Sequence, residues 1–410
     1  MKPTINNIQH QTLFSLQELL DLAPDSKFDA IFSVIDLRPA INFLSNHGRG
    51  ANGYNKGNIV KALIARQVEQ IPSITALRER LNTDFYFAHA CGFKFFEAIP
   101  SVDTLCRYHN KLADNDILDY IIHDLLMKAY HYDLIDPDKI ALDSSKLESY
   151  DSPKSNAQID KNDPNRADWG AKYDSHKNLI KWFGYKLHLA CDTEGEIPIA
   201  FSLKPANEAD SSNALELIEK TDTVLPENTS YFIMDKGYDT EKIYKTIATE
   251  YEAQAIIPLN LRNRKKPDLC FHDFKGTPQC SGGFKMIYWG HDNGFNKFRC
   301  PHAAGKINCP HGTKWCSDSD YGLVVKTKPS DDYRKFSLPH RDSQTWEKIY
   351  NQRTAVERVF SRLKENFNLT NITMTGRKKA AAHMKLSVLS YLASKVAVAK
   401  SQQKQVIQAA

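Results

Sequence analysis

"IYNQRTAVERVFSRLKE", residues 349–365, holds good helix formers and neither Gly nor Pro, so its composition predicts one helix throughout. At about 100° per residue, Tyr350, Arg353, Glu357 and Lys364 fall near about 0°, 300°, 340° and 320°, a single narrow stripe. Ile349, Ala355, Val356, Val359, Phe360 and Leu363 fill the adjoining arc, the expected buried face. A carboxylate thus stands among two cations and a phenol at the rim of an apolar face. The plain reading is an Arg353–Glu357 pair at i, i+4, worth a few tenths of a kcal/mol. A functional reading needs support from the rest of the chain.

The chain has 410 residues, 41% hydrophobic and 25% charged, a globular composition with room for two or three domains. "MKPTINNIQH" at the N-terminus lacks the apolar core of a secretory signal. No uninterrupted apolar run reaches the ~18 residues of a membrane span. A soluble cytoplasmic protein, with no membrane partner, is expected. Net charge is +5, unevenly spread: Arg353 to Lys404 carries eleven Lys and Arg against Glu357 and Glu365, or +9, leaving −4 for the remainder. A basic C-terminal quarter suits a polyanion such as nucleic acid, or simply a solvated helix face. The eight cysteines are expected to be reduced thiols, and five of them lie between Cys270 and Cys316.

Residues 1–135 read as a helical N-terminal domain. "SITALRERL" and "SVDTLCRYHNKLAD" open on Ser73 and Ser101, suited to be N-caps. Arg107, His109, Asn110 and Lys111 on the latter segment fit a helix-turn-helix-like DNA-binding module, or the surface of a plain bundle. Residues 136–260 change to short β-rich runs: "KIALDSS", "WFGYKLHLACD", "IPIAFSLK", "SYFIMDKG" and "AQAIIP". Three strands in succession, then helix, strand, helix, strand, predict an α/β layer on a mixed sheet. "DSPKSNAQIDKNDPNRADWG" reads as a polar loop between the first two strands. Residues 261–335 form a Cys/His-rich insertion that ends in the strand "YGLVVKTK"; residues 336–400 complete the core with basic helices.

Two acids close apolar runs, Asp143 after "KIAL" and Asp235 after "YFIM". Ligands gather at strand C-terminal ends in α/β layers, so neighbouring strands would bring these carboxylates to one edge. Asp also commonly caps the turn after a strand. An all-oxygen pair suits Mg²⁺, or Mn²⁺, rather than Zn²⁺. Glu357 could complete a set of three that bridges two ions for in-line phosphodiester displacement.

"MDKGYD", followed by Tyr350, Arg353, Glu357 and Lys364 in the spacing Y-x2-R-x3-E-x6-K, resembles the DDE transposases of bacterial insertion sequences. The spacing is that of one large group with a Tyr-Arg-Glu-Lys signature. "PSVDTLCRYH" is similar to the family's N-terminal domain, and "FGYKLHLACDTEGEIPIAF" to its early strands. The resemblance implies an RNase H-like core in an α/β fold, with Asp143, Asp235 and Glu357 as catalytic metal ligands. It implies that Tyr350, Arg353 and Lys364 hold phosphates of the transposon end. It further implies Mg²⁺-dependent cleavage at terminal inverted repeats, joining of the 3′-OH to target DNA, a homodimer or higher assembly, and a bacterial cytoplasm close to the nucleoid. A nuclease of the same fold, or a DNA-binding protein descended from a transposase, are the alternatives.

His188, Asn207 and Asp210 line the same edge or act as strand-face and cap residues, the latter being favoured. Lys236 is a further phosphate candidate. Cys280, Cys300, Cys309 and Cys316, with His302 and His311 as substitutes, could bind a structural Zn²⁺. Their spacings of 20, 9 and 7 lack a tight C-x2-C pair, so reduced core thiols are the competing reading.

Overall fold

The computed structural model describes residues 27–45, 53–94, 97–173, 176–260 and 272–409. Two compact units emerge. One comprises residues up to 132, 365–373 and those from 381 onward; the other comprises 133–364 and 374–380. The larger part of the C-terminal helix, which the sequence reading grouped with the core, therefore belongs with the N-terminal helices.

The first unit is helical: α1 (Lys27–Phe32), α2 (Arg38–Leu44), α3 (Lys56–Val68), α4 (Ile74–Thr83), α5 (Phe85–Ala90), α6 (Val102–Ala113), α7 (Ile117–His131) and most of Arg377–Ala409. Ser73 Oγ caps α4 by accepting from Ala76 N at 3.0 Å. Ser101 Oγ caps α6 through Thr104 N at 3.2 Å. Ile59, Val60, Ala62, Leu63, Ile64 and Ala65 of α3 are wholly buried, which makes α3 a central helix rather than an amphipathic surface one. His109 is also wholly buried, so of the residues picked out on α6 it cannot face a DNA groove.

A buried polar knot ties this unit together. Arg66 donates to the carbonyls of Ile71 at 3.1 Å, Pro72 at 2.8 Å and Asn371 at 3.1 Å. Its Nη1 stands 3.4 Å from His383 Nδ1, while His383 Nε2 lies 2.8 Å from the Asn368 carbonyl. That network assigns the ring proton to Nε2 and leaves Nδ1 as an acceptor. Burial, with the Arg66 charge beside it, pushes His383 down to about 3. The unfolded ring titrates near 6.5, so between those values the unfolded chain holds the extra proton, and stability falls as pH drops. Burial likewise holds His188 and His340 near about 4, whereas Asp143 and Asp192, raised to about 6, act with the opposite sign below that pH. The His383 contribution is isolated by urea unfolding of wild type and His383→Gln from pH 6.5 to 5. The wild type is expected to lose roughly 1 kcal/mol more per pH unit than the variant.

The second unit is built on a mixed sheet of β1 (Lys139–Glu148), β2 (Asp168–Tyr173), β3 (Leu179–Asp192), β4 (Pro198–Pro205), β5 (Tyr231–Ile233) and β6 (Gln254–Ile256). Helix α8 (Asp210–Val224) follows β4 and packs on β3 and β4; α9 (Glu241–Glu250) joins β5 to β6. The core order is β4-β3-β1-β5-β6, with β3 antiparallel to both its neighbours and β1, β5 and β6 parallel. This is the RNase H-like arrangement. Strand β3 is 14 residues long, so its first part pairs with β2 and its second with β4. Strand β2 was not anticipated. "DWGAKY" lacks a clean apolar alternation, and its pairing is supported across strands: Trp182 lies over Gly170, where a Cβ would stand 2.3 Å from the indole. Trp169 also meets Phe183 at 5.4 Å between centroids.

The Cys/His-rich segment is more regular than its composition suggested. Strands β7 (Ile287–Asp292), β8 (Phe295–Arg299) and β9 (Val324–Thr327) form a separate antiparallel sheet. Cys270 lies outside the described residues.

The single helix expected over 349–365 is two: α10 (Gln344–Asn351) and α11 (Thr354–Asn366). Between them Arg353 N bonds to Tyr350 O, Ala355 N to Gln352 O and Val356 N to Arg353 O, all i→i−3 contacts at 3.0–3.2 Å. The tightened turn separates α10 from α11 without Gly or Pro. Ala355, Val356, Val359, Phe360 and Leu363 remain the buried face of α11, as the periodicity requires.

Candidate active site

The site begins where a parallel neighbour stops. Strands β1 and β5 pair Lys139 with Tyr231, Ile140 with Phe232 and Ala141 with Ile233. Strand β5 then ends, while β1 continues to Glu148 against β3. Two residues beyond the last pair lie Asp143 on one chain and Asp235 on the other. Asp143 is therefore mid-strand, not at a strand end, but its parallel partner has run out and its edge is open. Asp235 Oδ1 accepts from Gly237 N at 2.7 Å and caps a short 3-10 turn, Lys236–Tyr238.

Side chains alternate along β1, so Asp143 and Ser145 share one face and Ser144 takes the other. On the first face α11 supplies the partners. Lys364 Nζ donates to Ser145 Oγ at 2.6 Å. Arg353, in the turn before α11, donates through Nη1 to Asp143 Oδ2 at 3.0 Å and through Nη2 to Glu357 Oε1 at 2.5 Å. The second Asp143 oxygen accepts from Ser144 N at 2.7 Å. On the opposite face Ser144 Oγ donates to Asp210 Oδ1 at 2.8 Å, and Lys186 Nζ donates to the same oxygen at 3.2 Å. His188 is fully buried, with Nδ1 3.9 Å from that oxygen.

Burial raises Asp143 to about 6; the Ser144 amide opposes this, the Asp235 charge adds to it, and Arg353 opposes it. Arg353 is raised despite burial, by its bond to Glu357 and the charge of Asp143. Burial lowers Lys364, helped by the like charges of Lys172 and Lys146. Burial raises Tyr350, whose ring stacks on Trp346 at 5.0 Å and 15°. Buried Tyr238 lies under the same acids: after burial, Asp143, Asp210 and Asp235 push its phenol well up. Arg353 and Lys364 thus serve Asp143, Glu357 and Ser145 on one face of β1, while Lys186 meets Asp210 on the other.

Among the described residues, no three His, Cys, Asp or Glu side chains stand close enough to hold a metal ion. Neither of the two metal sets expected from the sequence is preassembled among them. Cys280, Cys300, Cys309 and Cys316 are free thiols that the β7–β9 region does not gather, and His302 Nδ1 instead receives Cys309 N at 3.2 Å. Nor do the three carboxylates converge on one point, because Glu357 turns to Arg353 with about half its side chain exposed, at 52%. The donor chemistry still fits a hard divalent cation: Asp143, Asp235 and Glu357 offer carboxylate oxygens, and the guanidinium between two of them marks a place for positive charge.

Residues 135–393 match the family described as "Transposase DDE domain", and residues 15–111 match "Transposase domain (DUF772)". The chain belongs to the DDE transposases. The family makes this transposase an enzyme that acts on DNA with divalent metal. Among solved structures it is similar to a piggyBac transposase synaptic complex with hairpin DNA, at 13% identity and a TM-score of 0.40, over 92% of this chain and 75% of that one. No curated protein matches. Among the described residues, no helix of the transposase is long and apolar enough to cross a membrane.

Sequence reasoning missed Ser144, Ser145, Lys186 and Tyr238, and assigned Asp210 a bland role. Ser144 and Ser145 follow Asp143 directly, and strand alternation alone could have sent one to each face. Asn207 and Lys236 are exposed and Asn207 is not drawn into the cluster. Tyr238 had no signal until the turn after Asp235 was known.

Proposed function

We propose that this transposase binds terminal inverted repeats of its own element, hydrolyses a strand at each end and joins the 3′-OH to target DNA, using Mg²⁺. The observation that carries the reading is the register of β1 and β5, which sets Asp143 beside Asp235, with Glu357 linked to Asp143 through Arg353. Asp143, Asp235 and Glu357 would hold the cations. When bound, these supply charge stabilisation at the attacking and leaving oxygens of an in-line displacement.

The remaining groups orient DNA. Arg353 presents a planar fork suited to a phosphate, Lys364 a point charge held forward by Ser145, and Tyr350 a hydroxyl on a ring fixed by Trp346. A hydrophobic floor of Ile233, Ile256, Trp346 and Ile349 sits behind Tyr350. It keeps the phenol from collapsing inward and limits water on that side. Assembly as a dimer or larger complex on paired ends belongs to the same reading.

The test is cleavage and joining with duplexes taken from the DNA flanking the coding sequence. Mg²⁺-dependent nicking at a defined end, followed by joining of a pre-cut 3′-OH end to plasmid, is the expected result. Nicking without joining would favour a nuclease on the same fold.

A further inference from the structure

Arg353 is committed twice over, and to acids rather than to phosphate. We propose that it is handed between two partners, the carboxylates of Asp143 and Glu357 without DNA and a DNA phosphate with it, so that divalent cation and DNA bind with positive coupling. The inference rests on the reading of these acids as cation ligands given above.

The geometry sets the two uses in competition. One Nη serves each carboxylate, so a phosphate that grips both Nη end-on competes with Asp143 and Glu357 for the same nitrogens. Both oxygens of Asp143 are engaged as well: Ser144 N bonds one and Arg353 the other. A cation approaching Asp143 from the Glu357 side meets Nη1 and enters beside a fixed positive charge. In a site where Arg353 is only 18% exposed, that repulsion is weakly screened.

A phosphate reverses the balance. Once it draws the guanidinium away, mostly buried Asp143 and its neighbour Asp235 lose their compensating charge. Two adjacent carboxylates without a counter-charge favour a divalent cation strongly. Linkage requires reciprocity, so a bound cation must release Arg353 toward phosphate by the same factor. Arg353 also stands in the i→i−3 turn between α10 and α11, outside the regular ladder of either helix. It is a positioning residue whose second role is to keep the cutting site closed to metal until DNA arrives.

The experiment measures metal directly. Mn²⁺ is titrated into the full chain and its free ion followed by electron paramagnetic resonance, with and without the flanking-DNA duplex. In the wild type, DNA should tighten Mn²⁺ binding roughly tenfold. Arg353→Gln without DNA should already bind Mn²⁺ roughly tenfold tighter than wild type without DNA, and gain little when DNA is added. Adding Asp143→Asn to Arg353→Gln should abolish the gain, placing it at this site. Arg353→Lys keeps a cation that cannot span both carboxylates; it should fall between the two, and carries the comparison if the Gln variant does not fold. Equal Mn²⁺ affinity of wild type and both variants without DNA overturns the proposal. If the wild type nevertheless cuts DNA with Mn²⁺, the carboxylate assignment survives that result. Cutting that persists after Glu357 is neutralised would instead overturn the assignment.

Discussion

Glu357→Gln is expected to bind element-end DNA and fail to cut it, with the cleavage rate lower by roughly three orders of magnitude or more. The substitution keeps side-chain shape and helix propensity while removing one anionic ligand. Glu357 lies in the first turn of α11, half-exposed and held by Arg353. Stability should move by no more than a few tenths of a kcal/mol. DNA binding should hold or tighten, because repulsion between carboxylate and phosphate is relieved. Lys364→Ala supplies the contrast: it should weaken binding and lower the salt dependence by about one counterion, with less effect on saturated cutting. A simple helix ion pair forecasts active protein in both cases. Full cutting by Glu357→Gln would falsify the three-carboxylate mechanism.

Gly195→Ala should cost about 3 kcal/mol or more, enough to leave much of the chain unfolded, though it adds one methyl far from the acids in sequence. Gly195 lies in the β3–β4 turn, where a Cβ would stand 1.8 Å from the Leu134 carbonyl oxygen, a contact that only backbone movement can relieve. The turn is otherwise closed by Asp192, whose oxygens accept from Gly195 N and Ile197 N, both at 2.6 Å. Next to Gly195, Glu196 receives Arg358 and Arg362 of α11. Moving this turn therefore loosens the helix that carries Glu357. Denaturant unfolding and cleavage should fall together. A Gly195→Ala protein of wild-type midpoint and activity would show that the turn has room the geometry denies it.

The sheet was legible because its parallel strands are short apolar runs bounded by polar turns: "KIALDSS", "SYFIMDKG" and "AQAIIP" announced themselves by pattern alone. Asp143 and Asp235 were legible for the same reason, as the first charges after buried runs. Strand β2 was not, since its support is cross-strand packing, Trp182 over Gly170 and Trp169 against Phe183, rather than its own periodicity. The stripe on 349–365 was half right. Its apolar arc survives on α11, but Tyr350 sits in the last turn of α10 and Arg353 lies in a turn whose i→i−3 bonds helix propensity does not report. Spacing gave the Arg353–Glu357 pair but not the second acid on the same guanidinium, Asp143, which only the fold brings there. Composition drew the cysteines together more than the structure does: Cys280 precedes β7, while Cys300, Cys309 and Cys316 share the β8–β9 connection without forming a metal set among the described residues.

The contact between Arg353 and Asp143 spans 210 residues of chain. A ribosome adding about 5–20 residues per second takes roughly 10–40 s to travel from one to the other. During that interval β1, β3 and β4 can already pair locally, and the first acid is in place without the third. A chain interrupted between β4 and α11 thus carries the β1, β3 and β4 pairings without Glu357.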